Sequence, residues 1–304
     1  MPNKIVVWLA ATLVGLPLAI PAAAQADRLA KVEITTTELG SGLYMLTGAG
    51  GNLGLSVGPD GAFLIDDQFA PLSDKIKAAV ARLSDKPVRF VVNTHWHGDH
   101  TGGNENLGRD GAVIVAHENV RKRMSVDSFS KAFGESTLAA PPAALPIITF
   151  AESVTFHLNG MAIKAIHTRP AHTDGDVVIY FPDANVIHVG DLLFNGIYPF
   201  IDVESGGSID GYVAVIDAIL PSLDDRTKII PGHGPMATKA EFQAFRDMLA
   251  DVSRAVTALV AQKKSRDDVI AARPTAKWDA EWGDGFMKPD QFVGLAYDSI
   301  TMVR

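Results

Sequence analysis

Between Thr94 and Thr101 the chain reads Thr-His-Trp-His-Gly-Asp-His-Thr, which places His95, His97, Asp99 and His100 within six consecutive residues. Imidazole and carboxylate are ligand types suited to zinc, iron or manganese, and a catalytic zinc takes about three protein ligands and leaves a position open for water. The chemistry these residue types suggest is attack by a metal-bound hydroxide; the competing reading is a solvated polar loop. If the apolar run 88–93 is a buried strand, the cluster lies in the loop leaving that strand's carboxyl end. His95 and His97, two apart in extended chain, then project to one side and can grip one ion. Asp99 and His100 follow across the Gly98 turn and can face a second. The helical alternative, His-Glu-x-x-His, does not occur in this chain.

Three more positions share one context, a polar ligand type just beyond an apolar run: His172 in Pro-Ala-His-Thr-Asp-Gly, Asp191 after Val186–Gly190, and His233 in a Pro-Gly-His-Gly turn. With the first cluster they make seven candidate ligands, enough for two metals and a shared carboxylate. His95, His97 and His172 are assigned to the first ion, Asp99, His100 and His233 to the second, and Asp191 to a bridge between them. Asp66 or Asp67, at the end of a strand candidate, can orient a ligating imidazole by accepting its second N–H. Asn195 and Tyr198 are candidates for steadying an oxyanion, against a plain loop-scaffolding role. His117, His157, His167 and His188 lie in or beside strand candidates and read as packed or surface histidines.

The elements that must position these groups come in two similar series. Strand candidates at 32–37, 42–47, 53–57 and 62–66, with a Pro59-Asp60-Gly61 turn, suggest an antiparallel meander. A helix follows with Ser73 as its expected N-cap and Ile76, Ala79, Val80 and Leu83 on one face, and then the strands at 88–93 and 113–116. The second series has strands at 153–158, 161–166, 177–181 and 186–189, a helix carrying Tyr212, Val215, Ile216 and Ile219, and a short strand at 228–230. A long helix is then opened by a Thr238-x-x-Glu241 capping box. Two halves of like order, about 27–150 and 151–304, suggest two sheets face to face with helices outside, their strand-end loops meeting along one edge.

The glycine-rich run 48–54 precedes a strand rather than a helix, so it reads as a hairpin loop near the site and not as a dinucleotide fingerprint. The insertion 121–145, with Met124, Phe129 and Phe133, reads equally as a substrate-covering lid or an ordinary surface helix. The tail 264–304, with Trp278, Trp282, Phe286 and Phe292, can pack on the core or form a partner surface.

Over 304 residues the chain is 47% hydrophobic and 20% charged, the composition of a globular protein with ample core. Its net charge of −8 argues against a nucleic-acid partner. With no cysteine there are no disulfides, no thiolate ligands and no thiol nucleophile. Residues 1–26 read as a cleavable signal peptide: Lys4 is their only basic side chain, the stretch that follows is apolar but broken by Gly15 and Pro17, and Ala24-Gln25-Ala26 fits a small-x-small cleavage pattern. The expected product is a single domain from 27 to 304, periplasmic or secreted, without stable membrane insertion.

The run from Thr94 to His100, His172 within Ala-His-Thr-Asp-Gly-Asp, the Gly190-Asp191 pair and Gly232-His233-Gly234 resemble, in order and identity, the metallo-β-lactamase superfamily. The resemblance spans about residues 40–262. It implies an αββα sandwich and a binuclear site, usually of two zinc ions, with iron or manganese as alternatives. Members include β-lactamases, lactonases, thioester hydrolases of the glyoxalase II type, phosphodiesterases and some redox enzymes. Aspartate at position 191, where true metallo-β-lactamases usually carry cysteine or a non-ligating serine, resembles the lactonase, thioester-hydrolase and phosphodiesterase branches. The expected activity is hydrolysis of a small-molecule acyl substrate such as a lactone, thioester, β-lactam or related ester or amide, with Asp99 both ligand and orienter of the nucleophile. The alternatives are a β-lactamase proper, or an iron-dependent oxidoreductase on the same scaffold.

Overall fold

A computed structural model describes residues 27–302, so the proposed signal peptide lies outside the described residues. Its first sheet has the order β1 (Thr35–Gly40), β2 (Leu43–Thr47), β3 (Leu53–Ser56), β4 (Ala62–Ile65), β5 (Val88–Val92), β6 (Val113–His117) and β9 (Ile148–Phe150). The meander β1 to β4 is antiparallel, and the sheet turns parallel at β4–β5, where helix α1 (Ser73–Ala81) makes the crossover. The second sheet runs β10 (Ser153–Leu158), β11 (Met161–His167), β12 (Val177–Phe181), β13 (Val186–Phe194) and β14 (Lys228–His233), antiparallel until the parallel pair β13–β14.

Period-two patterning makes the sandwich. Along β12, Val177, Ile179 and Phe181 face the first sheet, where they meet Phe63, Ile65, Val92 and Val115 in one buried cluster. Val178, on the opposite face of the strand, joins the outer core against helices Ile209–Ile219 and Lys239–Ala261. On the far side of the first sheet, Ile76, Ala79 and Val80 of α1 cover Leu64 and Val91. The layers are therefore helix, sheet, sheet, helix, the αββα arrangement. Fully buried side chains of the size of Phe63 and Ile179 each contribute about 1.5–3 kcal/mol to holding the sheets together.

Several boundaries differ from expectation. The first strand starts at Thr35 rather than residue 32, because Val32 closes a turn on the Leu29 carbonyl. Ser73 does not cap α1: its hydroxyl donates to the Ala70 carbonyl, and a 3-10 turn, Ala70–Leu72, leads directly into the helix. β13 continues through Asp191 to Phe194, and β14 to His233, since the parallel pairing carries on past two bulges. Asp191 and His233 are thus strand residues, not loop residues. The insertion is a short helix, Glu118–Met124, followed by a two-stranded hairpin, β7 (Ser128–Ser130) and β8 (Glu135–Thr137). The tail packs on the outer core through Trp282, Met287, Phe292 and Val293. Among the described residues no helix is long and apolar enough to cross a membrane.

Candidate metal centre

The carboxyl ends of β4, β5 and β14 and the bulge of β13 meet at one edge of the sandwich, with the loop before β12 beside them. All seven predicted ligands are brought together there. His95, His97, His172 and Asp191 offer ligand atoms lying within 4.8 Å of one another, and Asp99, His100 and His233 do the same. Asp191 sits between the sets. Its Oδ2 is 3.4 Å from His172 Nε2 and 3.4 Å from His233 Nε2, and its Oδ1 is 3.0 Å from His100 Nε2.

The outer nitrogens decide what the inner ones can do. His172 Nδ1 is 2.9 Å from the Phe200 carbonyl, which can only accept, so Nδ1 carries the proton and Nε2 turns a lone pair inward. His97 gives its Nε2–H to Asp202 at 2.9 Å and faces inward with Nδ1. His100 gives Nδ1–H to Asp66 at 2.7 Å. The Thr94 hydroxyl donates to Asp66 Oδ2, leaving its oxygen free to accept from His95 Nδ1 at 3.0 Å. Three imidazoles, those of His95, His97 and His172, therefore aim unprotonated nitrogens at one region: His97 Nδ1 lies 3.1 Å from His95 Nε2 and 2.9 Å from His172 Nε2. Lone pairs this close repel unless a cation lies among them. Asp191 Oδ1 is buried and makes no well-aligned hydrogen bond, although His100 Nε2 lies 3.0 Å away. The donor set, nitrogen and carboxylate without sulfur, fits a divalent metal such as zinc.

Local backbone choices hold this arrangement. Asp66 adopts a left-handed conformation (φ 59°), uncommon for a non-glycine residue. Its carboxylate compensates by accepting from Thr94 N at 2.7 Å as well as from His100 and the Thr94 hydroxyl. The neighbouring Asp67 instead accepts from Gly103 N, so the orienting role falls to Asp66. The 48–52 hairpin loop does reach the site: a Cβ at Gly51 would strike the His100 ring. Gly190, with φ 52°, sets the bulge that turns Asp191 inward, and a side chain there would meet Thr94.

Charge divides the two sets. Burial drives His95 well below the ordinary imidazole range and His172 down to about 4, so both stand neutral at pH 7. At His233 burial acts in the same sense but is outweighed by the Asp191 and Asp99 carboxylates, which raise it to about 9. Asp99, opposed by burial, is drawn down to about 2 by His100 and His233.

Asn195 and Tyr198 do not face the cluster as oxyanion donors. Asn195 Nδ2 donates to the Pro235 carbonyl at 3.0 Å, tying down the turn after His233. Tyr198 is buried with its hydroxyl on Asp279 Oδ1 at 3.0 Å, fastening the tail to the core. The Asp202 carboxylate, the Phe200 carbonyl and the Thr94 hydroxyl are functional groups that sequence reasoning missed. Asp202 carried one signal, an acid ending the apolar run Tyr198–Ile201 and followed by the glycine pair 206–207. Among the other histidines, His188 binds the Asn52 carbonyl at 3.1 Å, and His117 stacks on His167 with ring centroids 3.6 Å apart.

Fold and site together define an αββα sandwich that carries seven candidate metal ligands along one edge. Residues 46–233 match the family model described as the metallo-beta-lactamase superfamily, and the chain belongs to that superfamily. Similar proteins include a hydroxyacylglutathione hydrolase of Nitrosococcus oceani, 28% identical over 199 residues, covering 65% of this chain and 66% of that one. The chain thus spans just under two thirds of that relative. A metallo-beta-lactamase type 2 of Bacteroides fragilis is 24% identical over 227 residues, 70% of this chain and 85% of its own. Among solved structures, a metallo-beta-lactamase from Pontibacter korlensis superposes with a TM-score of 0.60 at 20% identity, over 72% of this chain and all (100%) of that one. An inverting sec-alkylsulfatase from Pseudomonas sp. superposes with a TM-score of 0.65 at 18% identity, over 90% of this chain and 51% of that one. These two likenesses concern the fold.

Proposed function

We propose that this protein is an exported binuclear-zinc hydrolase that cleaves an acyl bond in a small molecule. The observation that carries the reading is the convergence of His95, His97, His172 and Asp191 with Asp99, His100 and His233 in two adjoining sets, the first with its imidazole nitrogens unprotonated. In this reading His95, His97 and His172 hold one zinc, Asp99, His100 and His233 the other, and Asp191 bridges them. The metal, when bound, supplies Lewis acidity that lowers the pKa of water towards about 7 and polarises the scissile group.

The chain's own groups do the rest. Asp202, Asp66, Thr94 and the Phe200 carbonyl fix ring orientation and tautomer, so that the ligand nitrogens need no reorganisation. Asp99, a quarter exposed and held ionised, accepts a hydrogen bond from the attacking water and orients it, and the water's proton passes to the leaving atom. A bond forms from the water oxygen to the acyl carbon, the bond from that carbon to the leaving oxygen, sulfur or nitrogen breaks, and the leaving atom takes up a proton. Aspartate at 191 and the likeness to a hydroxyacylglutathione hydrolase favour an ester, lactone or thioester over a β-lactam. Residues 1–26 direct the chain to the periplasm or beyond it.

A hydrolysis screen of the zinc-loaded protein against lactones, thioesters, nitrocefin and phosphodiesters tests the reading, beside His95→Ala, His97→Ala and Asp99→Ala. The expected result is turnover of an acyl substrate that all three variants lose; activity surviving in all three sinks the proposal.

A further inference from the structure

Two phenylalanines far apart in sequence, Phe133 and Phe286, flank the candidate metal centre, and neither is needed to build it. Phe133 sits in the turn of the β7–β8 hairpin, 48% exposed, with its ring 4.8 Å from that of Phe200. Phe200 in turn lies against His97 at 5.6 Å and His172 at 5.9 Å between centroids. On the other side Phe286, in the tail and 52% exposed, lies 6.1 Å from Phe194 and 6.3 Å from His233. Phe194 stacks on His233 at 4.9 Å and 15°. Each set of imidazoles thus continues outward into an apolar wall ending in a half-exposed aromatic ring. A single exposed apolar side chain is ordinary on a protein surface, but the hairpin and the tail each delivering one to the same edge are a built feature.

The charges around the mouth point the same way. Lys131, two residues from Phe133, pairs with Glu204 at 3.4 Å, and Arg123, on the helix before the hairpin, is held by Asp174 at 2.7 Å. A substrate chain ending in a carboxylate loses its hydration against the aromatic faces, while an uncharged apolar one gains there.

We infer that Phe133 and Phe286 are specificity-determining residues, which select an uncharged acyl substrate with apolar groups on both sides of the scissile bond. This rests on the hydrolase reading of the same site. The test uses zinc-loaded protein and three hydroxamic acids: acetohydroxamate, hexanohydroxamate, and the six-carbon hydroxamate ending in a carboxylate. Binding is measured by calorimetry, and hydrolysis of acetyl and hexanoyl thioesters is measured in parallel. Affinity is expected to rise about three- to fourfold per methylene from the acetyl to the hexanoyl probe, and the carboxylated probe to lose that gain. Phe133→Ala or Phe286→Ala lowers hexanoyl affinity roughly tenfold and leaves acetyl affinity unchanged, and the leucine variants restore most of the loss. Affinity independent of chain length, equal weakening of both probes, or preference for the carboxylated probe overturns the inference. Thioester turnover with no chain-length preference also overturns it and leaves the hydrolase reading intact. The expected probe ranking without turnover of any acyl substrate fails the hydrolase reading but not the selectivity of the mouth.

Discussion

Asp202 Oδ2 lies 2.9 Å from His97 Nε2, across 105 residues of sequence, and so chooses which ring nitrogen of His97 faces the metal cluster. The other oxygen of Asp202 accepts from Ser205 N at 3.0 Å, which fixes the carboxylate before any metal arrives. Asp202→Asn keeps the size and one acceptor but removes the charge. The expected result is a loss of about 10- to 100-fold in zinc affinity, read by competition with a chelator of known affinity, with the fold retained.

Asp66 does the same for the second set while accepting from Thr94 N, the Thr94 hydroxyl and His100. Asp66→Asn should leave one ion in place and weaken the other about 10- to 100-fold. Zinc content after mild dialysis, measured by atomic absorption, is expected to fall from about two ions per chain towards one. It should also cost about 1–3 kcal/mol of stability, because the buried donors around the carboxylate lose a charged partner. Equal loss of both ions counts against separate second-sphere support of each.

In the metal-free protein His172 and His233 together favour a stability maximum near the ordinary histidine value of 6.5. His172 is pushed by burial down to about 4, so between about 4 and 6.5 the unfolded chain binds more protons and stability falls as the solution is acidified. His233 is raised to about 9, so between 6.5 and 9 the folded chain binds more protons and stability falls as pH rises. Thermal melts in chelator from pH 4 to 9 check the maximum. Metal uptake carries the same signature. At pH 7 filling the His95 and His172 set displaces few protons, whereas filling the His233 set displaces about one or more, read by calorimetry in buffers of different ionisation enthalpy.

Tyr198→Phe separates scaffolding from catalysis. Its hydroxyl reaches Asp279, and burial together with that carboxylate pushes it well above the ordinary phenol range, a neutral donor with no reach into the metal cluster. The substitution is expected to lower unfolding free energy by about 0.5–1.5 kcal/mol and leave kcat unchanged. A loss of roughly a hundredfold in kcat is what an oxyanion donor would give.

The parts of this site visible in the sequence are those where residue type and spacing carry the information. His95 to His100 fall in a short run, and His172, Asp191 and His233 share a context just beyond apolar stretches. The sheets were legible for the same reason, since the alternation along β10 and β11 states which face is buried. Asp202 was not legible, because it lies in irregular chain whose direction is set by the packing of Phe200 and Ile201 rather than by any period. Nor was the Phe200 carbonyl, since a backbone oxygen leaves no trace in residue type. Asn195 and Tyr198 show the converse: polar residues close in sequence to Asp191, yet a tight turn at Gly196 sends their side chains to Pro235 and Asp279. The extent of β13 was hidden by its own bulge, which breaks the pattern just where Asp191 needs to turn.

Asn52 crosses from the first sheet's hairpin loop to the end of β14, with Nδ2 donating to the Pro231 carbonyl at 3.0 Å and its backbone N–H to Gly232 at 2.7 Å. It marks the seam where the two halves of the chain meet, and each of the two ligand sets draws atoms from both sides of it. A half that has folded alone therefore owns only part of a coordination sphere. An ion held by either set would therefore also tie the two halves of the chain together across that seam.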